Sequence, residues 1–201
     1  MFLAEPLCLH GHAAAPPPRF SIHRGATPAR RAVEDFVRQV YAQHYGASLR
    51  EFKPTLVSLD DDGTVVAAAG YRAATAPLFL ENYLDVPIEQ ALAARTGGVV
   101  ARTAIVEVGH FASMQPGLGR RLMAHLGRQL AAEGFQWVVS TATRELRVIF
   151  ERLRIRPLAL GLADPARLGP DAVEWGTYYE HAPMVLAGEV RSNLARFAPV
   201  Q

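Results

Sequence analysis

Apolar residues switch between helical and strand-like spacing along the chain. Val33, Phe36, Val37, Val40 and Tyr41 recur three and four apart, which predicts a helix from Pro28 to about Tyr45. Thr27 followed by Pro28 reads as its N-cap and first helical position, and Gly46 as its stop. Thr55–Leu59 and Val65–Tyr71 predict two strands joined by the turn Asp60-Asp61-Asp62-Gly63, where the Asp-Gly pair signals a hairpin. Pro77–Leu84 and Pro87–Arg95 predict two short helices, the second burying Ile88, Ala91 and Leu92.

The run Ala104-Ile105-Val106-Glu107-Val108 predicts a buried strand, Gly109 to Gly119 a loop, and Arg120–Leu130 a basic amphipathic helix. Leu122, Leu126 and Leu130 share that helix's apolar face. Gln136–Ala142 follows as a strand, and Thr143–Leu153 as a helix with Leu146, Ile149, Phe150 and Leu153 inward. Leu158–Leu162 and Pro183–Leu186 complete the strands, separated by a polar loop long enough for a functional role. Residues 1–27 read as irregular, broken by Ala13-Ala14-Ala15-Pro16-Pro17-Pro18, with one candidate strand at Arg19–His23. The expected layout is an irregular segment 1–27, one domain 28–190, and a tail 191–201.

At 201 residues, half hydrophobic and a fifth charged, the composition is that of a single globular domain. A net charge of +2 gives no basis for a nucleic-acid binder. Lys53 is the only lysine among 21 basic residues, as a GC-rich coding bias would produce. The single cysteine, Cys8, has no internal disulfide partner, which fits a reducing compartment. No signal-peptide pattern and no long apolar run is present, so the expectation is a cytoplasmic protein without integral membrane association.

A strand that feeds a glycine-containing turn at a helix N-terminus forms an anion site, because unpaired N–H groups and the helix dipole converge there. Gly117, Leu118, Gly119, Arg120 and Arg121 make this the expected seat of a phosphorylated cofactor.

The element order resembles the GNAT N-acyltransferase superfamily: helix, antiparallel hairpin, short helices, then strand–helix–strand–helix–strand–strand. More narrowly, several strings are similar to the thermostable hemolysin family. They are His44-Tyr45-Gly46-Ala47, Ala68-Ala69-Gly70-Tyr71-Arg72, Leu78-Phe79-Leu80-Glu81-Asn82-Tyr83-Leu84, Val106-Glu107-Val108-Gly109, Ser140-Thr141-Ala142-Thr143 and Trp175-Gly176-Thr177-Tyr178-Tyr179 with Pro183. The GNAT cofactor pattern has Arg or Gln three residues before the first glycine; here that position is Met114, and Gln115 comes one residue late. The resemblance implies an α/β fold of GNAT type, with a mixed twisted sheet of six to seven strands flanked by helices. It implies acyl-CoA or an acyl-phosphopantetheine as co-substrate, bound where the fourth and fifth strands splay, and attack by an amine acceptor. Glu107-Val108-Gly109-His110-Phe111 is also similar to acyl-homoserine-lactone synthases, which brings in acyl carrier protein as a donor.

Glu107 is the first candidate for general base, since burial in an apolar strand raises a carboxyl pKa. The alternative is a structural acid paired with Arg72 or Arg102. His110, expected in the loop, is a candidate for substrate hydrogen bonding. Tyr178 or Tyr179 lies where related enzymes keep a tyrosine that protonates the leaving thiolate; strand alternation would leave only one of them free to serve. Trp175 is a candidate ligand contact or a core aromatic. Glu81, with Asp85 and Glu89, is a candidate amine-binding carboxylate or part of a solvated helix face. His23, His44, His125 and His181 lack metal-ligand spacing, so no metal is expected. No Gly-x-Ser-x-Gly or phosphate-loop lysine motif occurs. The expected activity is direct N-acyl transfer to a small amine. The alternatives are a non-catalytic acyl-pantetheine or lipid-binding protein and, against the absent signal peptide, a pore-forming toxin.

Overall fold

Thr27 caps the first helix: its hydroxyl accepts from Arg30 N at 3.1 Å, and Pro28 pre-sets the first turn. This helix, α1 (Pro28–Tyr45), ends at Gly46 with φ 65°, as expected. In the computed structural model, which describes residues 17–197, α1 follows a first strand, β1 (Arg19–Arg24). The candidate strand at Arg19–His23 is therefore present, inside the stretch expected to be irregular. Cys8 and residues 1–16 lie outside the described residues.

β2 (Thr55–Asp61) and β3 (Thr64–Ala73) form the expected hairpin, with a tighter turn: Asp61 pairs with Thr64, leaving Asp62 and Gly63 as the loop. Both have positive φ, 45° and 80°, the conformation that matches strand twist in a two-residue hairpin. A short 3₁₀ segment (Phe79–Tyr83) and α2 (Ile88–Thr96) follow. Next come β4 (Ile105–Ser113), α3 (Leu118–Ala132), β5 (Trp137–Ala142), α4 (Arg144–Arg152) and β6 (Leu158–Leu162). The chain closes with β7 (Met184–Glu189) and α5 (Val190–Leu194).

The strands build one seven-stranded sheet in the order β1-β2-β3-β4-β5-β7-β6. All neighbours are antiparallel except β4 and β5, which pair only over Ile105–Glu107 and Trp137–Val139. Beyond Glu107, β4 runs on beside β3 alone. On one face, α1 packs Val33 and Val37 against Leu56, Ala68 and Ala112. On the other, Leu122, Leu126 and Leu130 of α3 cover Val57, Ala69 and Val106. A third cluster joins α2 (Ile88, Leu92) to Ile105, Val139 and Val185. Each fully buried Leu or Val contributes about 1.5–3 kcal/mol of transfer free energy. The GNAT-like mixed α/β architecture is thus the one expected.

Two boundaries and one buried face differ from expectation, each for a tertiary reason. β4 continues to Ser113 instead of stopping at Val108, because a bulge preserves its pairing with β3: Gly70 faces Gly109 and Ala68 faces Ala112, so His110 and Phe111 together oppose Ala69. α4 has no fully buried residue; Ile149 is 36% exposed, and Leu146, Ile149 and Phe150 line a cavity rather than the core. The stretch expected as a tail contains most of α5, whose Leu194 lies against Gly127 of α3, where a Cβ would come within 2.9 Å.

Candidate active site

Where β4 and β5 part, a cavity of about 920 Å³ passes from one face of the sheet to the other. On the α1 side its walls include Tyr45, Lys53, Arg72, Glu107, His110, Trp175 and Tyr178. On the α3 side they are mainly apolar, formed by Met123, Leu126, Leu130, Val138, Leu194 and Phe197, with Asn193 beside them.

The α1-side wall is organised around Glu107, which is 2% exposed. Its partner is neither Arg72 nor Arg102 but Lys53, whose ammonium donates to Oε2. The same oxygen accepts from Phe79 N at 3.2 Å, and Oε1 accepts from Leu80 N at 3.1 Å. Lys53 reaches across the sheet through a gap between paired glycines: a Cβ at Gly70 would stand 3.0 Å from Lys53 Cβ, and one at Gly109 3.3 Å from its Cε. Arg30 anchors the segment from α1 by donating to the carbonyls of Lys53 (2.9 Å) and Pro54 (2.8 Å). Burial pushes the Lys53 ammonium below its ordinary range, against the opposing pull of Glu107. Lys53 lines the cavity and holds Glu107, and its one signal in the sequence is that it is the sole lysine in an arginine-rich chain.

His110 lies on the bulge with φ 54°, a left-handed conformation uncommon for a residue bearing a Cβ. The extra residue turns its ring onto the α1 side, 5.1 Å from Phe52, while Phe111 faces α3. Its Nδ1 is buried without a hydrogen-bond partner among the described residues. Burial, and then the charges of Lys53, Arg30 and Arg72, hold its pKa down at about 3, so the imidazole is neutral. His110 is a strand residue on the cavity wall, not a loop residue.

Trp175 and Tyr178 reach the cavity because Gly176 locks their segment onto the end of α1. Residues Pro165–His181, expected as a loop, form successive 3₁₀ turns broken at Gly169 and Gly176. At Gly176 a Cβ would fall 2.0 Å from Tyr45 O. Thr177 Oγ1 donates to that carbonyl (3.2 Å), and Ser48 N donates to Glu174 O (2.7 Å). Tyr178 is buried, lines the cavity and donates to Thr141 O at 3.2 Å. Burial, with neighbouring tyrosines, pushes its phenol well above 10. Tyr179 is not on the cavity wall; its hydroxyl bonds Tyr83 at 2.7 Å. The two tyrosines diverge, as expected, but by a turn rather than by strand alternation.

Glu81 is not on the cavity wall. Arg102 grips it with two bonds, 2.6 and 2.7 Å, and it accepts from Leu78 N and Ile88 N, so it ties the 3₁₀ turn to α2. These four contacts leave it no place in amine binding. Gly117 (φ 86°) opens α3, whose first N–H groups, at Leu118, Gly119 and Arg120, precede the intrahelical ladder. Gly119 is a helix residue packed on Phe111, where a Cβ would be 3.2 Å away. Arg120 and Arg121 are exposed. None of these five residues lines the cavity, but the loop they follow leaves β4 at Ser113, which does. Among the described residues no cluster of His, Cys, Asp and Glu could hold a metal ion, and no helix is long and apolar enough to cross a membrane.

Solved structures share this fold at low sequence identity. FeeM, an N-acyl amino acid synthase from uncultured soil microbes, superposes with a TM-score of 0.61 at 17% identity, covering 89% of this chain and 94% of that one. The AHL synthase LasI gives 0.58 at 16% identity over 86% and 91%. The CoA-dependent acyl-homoserine lactone synthase BjaI, with SAM and isopentyl-CoA, gives 0.58 at 15% over 84% and 81%. No curated protein matches the sequence. The thermostable hemolysin family model matches residues 23–194, and the chain belongs to that family.

Proposed function

We propose that the protein transfers an acyl group from a pantetheine thioester to an amine. The observation that carries this is the cavity at the β4–β5 parting, mainly apolar on the α3 side and polar on the α1 side. An acyl chain fits the first wall, and an amine the second. The pantetheine donor, acyl-CoA or an acyl carrier protein, would approach along the N-terminus of α3. There the N–H groups of Leu118, Gly119 and Arg120 meet phosphate, with the charges of Arg120 and Arg121 beside them.

The amine nitrogen attacks the thioester carbonyl and the C–S bond breaks. Tyr178, kept protonated by its burial, gives its proton to the departing sulfur. The proton lost by the amine passes to water, which also restores the phenol. His110 Nδ1, neutral and unpartnered, accepts an N–H of the incoming amine. Trp175 packs beside the reacting groups. Glu107 is a positioning residue in this scheme, because Lys53 and two backbone amides already occupy its oxygens. The β4 backbone beyond Glu107, which no longer pairs with β5, would supply a donor to the developing oxyanion.

Thermal unfolding against CoA, acetyl-CoA and longer acyl-CoAs, followed by assay of any stabilising thioester with a panel of amines, tests the proposal. The expected result is a midpoint that rises with acyl length, together with amide formation. Stabilisation without amide formation would make the protein a binder of acyl-pantetheine. No stabilisation, and no transfer from acyl carrier protein, would end the proposal.

A further inference from the structure

Three cations and five carboxylates line the cavity, and one of those cations stands without a carboxylate partner among the described residues. Arg50 lines the cavity but is bound to Glu174 at 3.0 Å, and Lys53 is bound to Glu107. Arg72, which also lines the cavity, has no carboxylate partner among the described residues; its one bond is to the carbonyl of Pro77, at 3.2 Å. Its register partner on β4 is Glu107, so both side chains rise from the same face of the sheet. Four of the five guanidinium donors are free, in a fork that matches a carboxylate. Of the three donors on Lys53 Nζ, one is used by Glu107. The charges of Lys53, Arg30 and Arg72 all bear on His110, whose buried Nδ1 lacks a partner among the described residues.

We infer that the acceptor is an amino acid: its amine N–H meets His110 Nδ1, and its carboxylate meets Arg72, with Lys53 beside it. This rests on the acyl-transfer proposal and names its substrate class. Two physical arguments favour it over a simple amine. The cations that bear on His110, of which Arg72 has no carboxylate partner among the described residues, disfavour an ammonium ion there and attract a carboxylate. The same cations and the partial burial also favour loss of the ammonium proton, which yields the nucleophilic form without a dedicated strong base. A buried acceptor atom beside a free guanidinium presents the complementary pair for an amine and a carboxylate on one small molecule.

Calorimetric titration of the full chain, without CoA, with N-octanoyl-, N-dodecanoyl- and N-hexadecanoylglycine, each beside its methyl ester, tests this. At least one acid should bind tenfold or more tighter than its ester. Arg72→Gln should abolish that preference and Arg72→Lys should restore part of it, while affinity for CoA stays unchanged in both. Equal binding of acid and ester, binding of neither, or a preference that survives Arg72→Gln would overturn the inference. So would an Arg72→Gln defect confined to CoA, which would place the guanidinium on the donor phosphates. Transfer to methylamine as fast as to amino acids would leave acyl transfer standing and remove the carboxylate subsite. Tight, Arg72-dependent binding of the acid with no transfer to any amine would do the reverse.

Discussion

Lys53 and Glu107 meet on the α1 face of the sheet because two glycines, Gly70 and Gly109, stand opposite each other and leave a gap for the lysine stem. The pair is 8% and 2% exposed, so each charge depends on the other for compensation. Lys53→Met and Glu107→Gln should each destabilise the fold by about 3–5 kcal/mol, the cost of one unpaired buried charge. The double variant should lose much less than the sum, as urea unfolding would read. Additive losses would mean that the two groups act independently.

Gly176 holds Trp175 and Tyr178 in the cavity by its approach to the Tyr45 carbonyl. Gly176→Ala should destabilise by about 1–3 kcal/mol through overpacking. In a Trp137→Phe background it should also shift the Trp175 emission, the segment having lifted from α1. Unchanged emission and midpoint would show that the segment docks by other contacts.

Glu81 provides a pH signature. Its hydrogen bonds from Arg102, then those from Leu78 and Ile88 backbone, hold its carboxyl at about 2, below the ordinary 4.5. A depressed acid stabilises the fold fully above its unfolded pKa and loses that contribution as pH falls through the folded one. Glu81→Gln should therefore cost about 1–3 kcal/mol at neutral pH, and the gap to wild type should close between pH 4.5 and 2. Parallel stability curves over that interval would contradict the assignment.

The two tyrosines should separate kinetically. Tyr178→Phe should lower kcat by about 100-fold while leaving acyl-CoA affinity unchanged, if its hydroxyl protonates the thiolate. Tyr179→Phe should leave kcat near wild type and cost about 1 kcal/mol of stability, since its hydroxyl bonds Tyr83 and not the cavity. Equal kinetic effects would overturn the division of roles.

Spacing along the chain decided the local elements. Thr27-Pro28 and Gly46 bound α1, the Asp-Gly pair turns the hairpin, and Leu122, Leu126 and Leu130 set the buried side of α3, because caps, turns and amphipathic faces depend on residues a few positions apart. The site depended on contacts that no local window contains. Lys53 reaches Glu107 across 54 positions, and Arg102 takes Glu81 across 21. A bulge, visible only once β4 is laid against β3, turns His110 from an apparent loop residue into a neutral, unpartnered wall of the cavity. Burial, ion pairing and the facing of a side chain are properties of the assembled sheet, and those three quantities decide which groups the cavity presents.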